Sequence, residues 1–307
     1  MNKFIYYDDL FEFFDWSKEP KESLEQLYKE RAEQIRENYE YVVICYSGGI
    51  DSTTVLETFY YNNIHIDEIL VVGALSQDSF SGSDENHNGD LYYNVFPTLN
   101  SMNLSKTKIT IYDYTKLFND PTSFSLIKEF GPYFIKNLGY KTSVHNLFWY
   151  DLDKFILSNK KTAYVFGKEK PVLYKDDKGY YTNFSNSGFA DYGNRYEYSN
   201  GRRVNFYTEP ESFRVLLKQL YMLKNRNVYF QTTYYDYVER AKPIIYNLKN
   251  PLRFQSIKSK INFLSDRDMF MLKTKNSDIF KIYAEGVSKI KNDYNQSVEF
   301  SKCYYLS

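Results

Sequence analysis

At 307 residues the chain is long enough to bury one large core or two smaller ones, and its 43% hydrophobic and 25% charged content is that of a soluble globular protein. Its 39 Lys and Arg against 39 Asp and Glu leave no formal net charge, which disfavours a protein whose main task is to grip a nucleic-acid backbone. Two cysteines in a chain this long argue against a disulfide-stapled secreted domain, and the lack of any Cys-x-x-Cys excludes a zinc or iron–sulfur site built from such pairs.

The start of the chain turns acidic at Asp8-Asp9 without an apolar core, so no signal peptide is expected. No apolar run approaches about 18 residues, so no membrane span is expected either, and the cytoplasm is the expected location. The 33 Tyr and 24 Phe are an unusual excess. A tyrosine ring packs while its hydroxyl stays polar, so the excess suits a core, an interface or base stacking alike.

In chain order, residues 8–38 carry Leu10, Phe11, Phe14, Leu24, Leu27 and Ile35 at spacings near three and four, a helical pattern interrupted around Pro20. The run Tyr41-Val42-Val43-Ile44-Cys45-Tyr46 is short, apolar and β-branched, as a buried parallel strand requires. A helix follows over 53–61, with Val55, Leu56 and Phe59 on one face, and then a second strand at 69–74. Residues 75–90 form a polar loop. Leu91, Val95, Leu99 and Met102 make one stripe of an amphipathic helix. A third strand is expected at 108–112, helices near 123–138 and 145–158, and a fourth strand at 163–166. Strands alternating with helices predict an α/β fold: a parallel sheet with helices on both faces.

Beyond Gly167 the pattern changes. Residues 172–174 and 180–184 flank Lys175-Asp176-Asp177-Lys178-Gly179, a hairpin signal. Residues 185–205 read as irregular. Glu209-Pro210-Glu211 opens a helix to about 224, with Pro early and acids at the positive end. The remainder reads as mostly helical. The expected organisation is an N-terminal helical segment over 1–40, an α/β unit over 41–170, and a hairpin and helical substrate or accessory region over 171–307.

Between the first strand and its helix lies Ser47-Gly48-Gly49-Ile50-Asp51-Ser52. Glycines let the backbone approach phosphate oxygens without a Cβ in the way. The N–H groups and dipole at the helix start favour negative charge. Ser47 and Ser52 supply hydroxyl donors, and Asp51 can hold a magnesium ion that bridges phosphates. Neither Gly-x4-Gly-Lys-Ser/Thr nor a post-strand Gly-x-Gly-x-x-Gly occurs.

The loop resembles the Ser-Gly-Gly-x-Asp-Ser signature of the PP-loop ATP pyrophosphatases, a group that includes asparagine synthetase, GMP synthetase, NAD synthetase, argininosuccinate synthetase and several tRNA-modifying enzymes. All five defined positions match. The motif-level likeness covers roughly residues 41–75 and is architectural to about 170. It implies a Rossmann-like sheet of the HUP or PP-loop kind, similar to the synthetase domain of asparagine synthetase. It also implies ATP and Mg2+ as cofactors, with Ser47, Gly48, Gly49, Asp51 and Ser52 at the phosphates and Gly73, Ala74 and the next two residues beside the adenine. In such enzymes a substrate oxygen attacks the α-phosphate and pyrophosphate leaves.

Gly167-Lys168-Glu169-Lys170-Pro171 follows the fourth strand and shares its carboxyl edge. Lys168 and Lys170 there are candidates to neutralise charge developing on the reacting phosphates, with Gly167 beside the nucleotide. The segment also resembles a Gly-x-acid-Lys-Pro element of uncharacterised PP-loop proteins of tailed phages. His65, His87 and His145 are isolated; the polar 83–90 segment around His87 has oxygen groups enough for metal or substrate binding but better suits a solvated loop, and Asp191 and Arg195 are candidates for a substrate loop.

Within the resemblance, residue 2 is Asn where glutaminase-bearing relatives carry a nucleophilic cysteine. Any nitrogen donor is then free ammonia, an amine substrate or a partner's product. Cys45 falls inside a buried strand and Cys303 near the last residue, so sulfur transfer is not expected. The expected activity is ATP-dependent adenylation of a small-molecule carboxylate, carbonyl or nucleobase oxygen, as a ligase or amidotransferase-like enzyme. The alternatives are a PP-loop modifier of nucleic-acid bases and a non-catalytic nucleotide-binding or structural protein.

Overall fold

The computed structural model describes residues 11–73, 90–113, 124–134, 161–167, 171–183, 197–198, 201–246, 273, 276–297 and 302–307. Helix α1 (Leu24–Asn38) begins after Pro20 as expected, because Ser23 caps it: its hydroxyl accepts the Gln26 N–H at 3.2 Å. Leu24, Leu27, Tyr28, Ala32 and Ile35 form its buried stripe. Strand β1 (Tyr41–Cys45) follows at once, then helix α2 (Ile50–Tyr61) and strand β2 (Glu68–Gly73).

The amphipathic stretch after β2 is helical, but it opens as a π-helical turn over Asp90–Val95 before helix α3 (Phe96–Asn100). The wide turn coincides with Pro97, which has no N–H to return to the carbonyl four residues back. Leu91, Val95 and Leu99 are buried, as their spacing predicts. Strand β3 (Lys108–Asp113) comes next, then a short helix α4 (Ser125–Phe130) and strand β4 (Thr162–Phe166). The helix expected near 145–158 lies outside the described residues, as does most of 123–138 beyond Phe134.

Strands β5 (Tyr174–Asp176) and β6 (Gly179–Thr182) make the expected hairpin. The Asp176 side chain closes the turn by accepting the N–H groups of Lys178 and Gly179 at 2.9 and 3.1 Å. Two further strands follow, β7 (Glu197–Tyr198) and β8 (Gly201–Asn205), then helices α5 (Phe213–Asn225), α6 (Tyr234–Ile245) and α7 (Ser277–Ser297). Strand β9 (Tyr304–Leu306) pairs antiparallel with β6, completing a small sheet in the order β5-β6-β9.

The main sheet runs β3-β2-β1-β4-β8-β7, with β3, β2, β1, β4 and β8 all parallel and β7 antiparallel at the edge. Successive side chains of a strand face opposite sides. Val42 and Ile44, with Ile69, Val71, Ala163, Val165 and Val204, therefore share a core with α1, α2, α3, α5 and α6. Val43, Cys45, Leu70 and Tyr164 line the opposite face.

The fifth parallel strand, β8, and α5, which packs against α1 in the same core, both come after residue 170. Strand β8 escapes the sequence pattern because Gly201-Arg202-Arg203-Val204-Asn205 contains a single apolar residue. Its ladder with β4 and the Arg203 guanidinium lying over the Phe166 ring at 4.6 Å hold it in place.

Candidate functional site

In an open parallel sheet, the crevice lies at the carboxyl ends of the two strands where the order reverses. Here β1, β2 and β3 step one way and β4 and β8 step the other, so the reversal falls between β1 and β4. Ser47–Ser52 leaves β1 at that point, and Gly167 ends β4 beside it.

The loop's geometry follows from its residues. Tyr46 continues the ladder by donating its N–H to the Leu70 carbonyl at 2.8 Å. Gly48 then turns the chain with φ of +78°, a conformation that a Cβ would strain. Gly49 is the N-cap of α2 and has no side-chain cap hydrogen bond, so no capping side chain covers the first-turn N–H groups. Ser52 is buried and braces the loop from within. Its hydroxyl accepts the Ser47 N–H at 3.2 Å, donates to the Gly49 carbonyl at 3.1 Å and sits 3.0 Å from the Ser47 hydroxyl. Ser47 is exposed.

Gly167 is there because nothing larger fits. A Cβ at that position would stand 2.5 Å from the Asp51 carbonyl oxygen and 2.7 Å from the Ser52 nitrogen. The end of β4 thus packs backbone to backbone on the first turn of α2. Gly73 ends β2, the strand next to β1, where a Cβ would meet Leu91 at 2.7 Å. Ala74, Lys168 and Lys170 lie outside the described residues, as do His87, His145, Asp191 and Arg195. Among the expected site residues, the fold brings together Ser47, Gly48, Gly49, Asp51, Ser52 and Gly167, with Gly73 on the adjacent strand.

Beneath the loop stands a group that the sequence did not single out. The Tyr207 hydroxyl donates to the Asp51 carbonyl at 2.8 Å, and the Tyr246 hydroxyl donates to Oδ1 of the Asp51 carboxylate. Tyr28 donates to the carbonyl of Ile245, the residue before Tyr246, at 2.6 Å, and receives the Gln219 amide at 2.9 Å. The Tyr28–Tyr207 and Tyr207–Tyr246 ring centroids are each 5.7 Å apart, both pairs edge to face. Burial is the first cause that pushes all three phenols up from 10.0, and the Asp51 charge adds to it. They therefore remain protonated donors at any working pH.

Asp51 is the second residue of α2 and half-buried. Among the described residues no group of three His, Cys, Asp or Glu side chains gathers to hold a metal. Asp51 supplies one carboxylate, and Mg2+ keeps several waters and is commonly bound through one or two carboxylates together with phosphate oxygens. Neither cysteine belongs to the site: Cys45 is buried in β1 and Cys303 is exposed near β9.

No family model matches the chain, and no curated protein matches it. The fold itself defines the class: a Rossmann-like α/β protein with five parallel strands flanked by helices, and a glycine loop at its topological switch point. Among the described residues no helix is long and apolar enough to cross a membrane.

Proposed function

We propose that the chain is an ATP-dependent adenylating enzyme of the PP-loop type that acts on a small-molecule oxygen nucleophile. The observation that carries this reading is the position of Ser47-Gly48-Gly49-Ile50-Asp51-Ser52: at the switch point of the sheet, turned by Gly48 and opening α2 without a side-chain cap. A helix start of this kind binds anions through its N–H groups and dipole.

Each residue then has a definable task. The Gly48–Ser52 backbone holds the pyrophosphate end of ATP, Ser47 adds an exposed hydroxyl, and Ser52 keeps the loop in shape. Asp51 holds the Mg2+ that enters with the nucleotide and offsets its charge. The bond formed joins the substrate oxygen to the α-phosphorus. The bond broken joins the α-phosphorus to the bridging oxygen, whose electron pair leaves with pyrophosphate. Lys168 and Lys170 neutralise charge that grows on those oxygens.

The test uses ATP labelled at the α-phosphate, Mg2+ and a small-molecule cell extract as the source of acceptor. The expected products are labelled AMP or an AMP adduct, together with pyrophosphate. Lys168→Ala and Lys170→Ala should each lower the rate by about 100-fold or more, the usual loss for one preorganised charge-stabilising group. Release of ADP and phosphate would overturn the adenylation chemistry.

A further inference from the structure

We infer that Tyr246, at the end of α6, is a positioning residue that orients the Asp51 carboxylate towards the cation. The inference rests on the reading of Asp51 as the residue that holds Mg2+. Asp51 is tied at two points by hydroxyls from distant parts of the chain. Tyr207, 156 residues away, holds its backbone carbonyl, and Tyr246, 195 residues away, holds its side chain.

The Tyr246 hydroxyl is itself fixed. Its ring is buried against Tyr207, its N–H donates to the Lys242 carbonyl at 3.0 Å, and Tyr28 on α1 bonds the carbonyl just before it. A carboxylate near a helix start can rotate about both side-chain bonds. Binding Oδ1 to a stationary donor removes that freedom and sets the direction in which Oδ2 points. Hydrogen-bonded partners of this kind set the aim and basicity of ligating carboxylates, and losing one costs roughly 10- to 100-fold in metal affinity. The buried phenols of Tyr28, Tyr221 and Tyr237 donate to backbone carbonyls. Tyr246 instead reaches the one carboxylate of the loop.

The experiment titrates a fluorescent ATP analogue into the full chain, once with excess Mg2+ and once with EDTA. Wild type, Tyr246→Phe and Tyr221→Phe are compared; the last loses a buried hydroxyl that bonds Trp16, away from the loop. Wild type should bind more tightly with Mg2+. Tyr246→Phe should lose about 10- to 100-fold of that affinity with Mg2+ while its affinity in EDTA stays within about twofold of wild type. Tyr221→Phe should match wild type in both. Equal affinities for wild type and Tyr246→Phe, or equal losses with and without Mg2+, would overturn the positioning role alone. A wild type whose affinity ignores Mg2+ would instead overturn the reading of Asp51 on which it rests. If Tyr246→Phe does not fold, Asp51→Glu serves: it keeps the charge but moves the carboxylate off the fixed hydroxyl. It should lose the same enhancement, and an undiminished Mg2+ effect there would overturn the role.

Discussion

Gly167→Ala is expected to remove nucleotide binding and to lower the stability of the fold by about 3 kcal/mol or more. Overpacking a tight site costs roughly 1–3 kcal/mol where side chains can give way. Here the new methyl meets the Asp51 carbonyl oxygen, the Asp51 carbonyl carbon and the Ser52 nitrogen at 2.5, 2.6 and 2.7 Å. All three are backbone atoms, so relief requires the end of β4 and the first turn of α2 to separate. That movement takes the phosphate loop with it. Gly49→Ala is the contrast. Its Cβ would lie 3.5 Å from the Ser47 hydroxyl, and its φ of −73° suits any residue. Its cost should stay near the weaker N-cap preference of alanine, about 1 kcal/mol or less. Denaturant unfolding of both variants, with nucleotide titration of each, checks the pair.

Glu209→Ala should destabilise the protein by about 3–5 kcal/mol, the usual cost of leaving one partner of a buried ion pair uncompensated. Arg31 on α1 and Glu209 before α5 meet at 2.8 Å with side chains only 5% and 6% exposed, so neither regains much water when the other is lost. Glu209 also accepts the Asn205 N–H at 2.9 Å, and its own N–H donates to Ser212 at 2.8 Å, which starts α5. The pair therefore joins α1, the end of β8 and the start of α5. Arg31→Met combined with Glu209→Met should recover only part of the loss, because the Asn205 N–H then has no acceptor. Urea unfolding of the single and double variants measures this. Additive losses would contradict the coupling.

What the sequence shows and what it hides differ by the range of the contacts involved. The unit from β1 through α2 was legible because its signals are contiguous: a β-branched apolar run, two glycines, then a helix whose apolar residues share a face. The α5 start was legible for the same reason, since Pro210 and the acids Glu209 and Glu211 stand together; in the fold Glu209 and Ser212 then satisfy each other three residues apart. Strand β8 was not, because its place depends on pairing with β4 across some forty residues rather than on its own composition. Nor were Tyr28, Tyr207 and Tyr246. Three tyrosines among 33 carry no local mark: Tyr207 and Tyr246 reach Asp51, with Tyr28 holding the carbonyl before Tyr246, only when α1, the segment after β8 and the end of α6 meet. The same distance hides the reason for Gly167. In the sequence it is one more turn residue after a strand, whereas in the fold it is the contact surface between β4 and α2.

The central claim is that this loop binds ATP with its cation, and thermal unfolding with and without Mg-ATP tests it most directly, on wild type and on Asp51→Ala. A site filled at about 100 times its dissociation constant stabilises a fold by roughly 2.7 kcal/mol. A wild type that shifts by that order, beside an Asp51→Ala variant that does not, is the predicted result. Shifts of equal size in both proteins, or no shift in either, would contradict the claim.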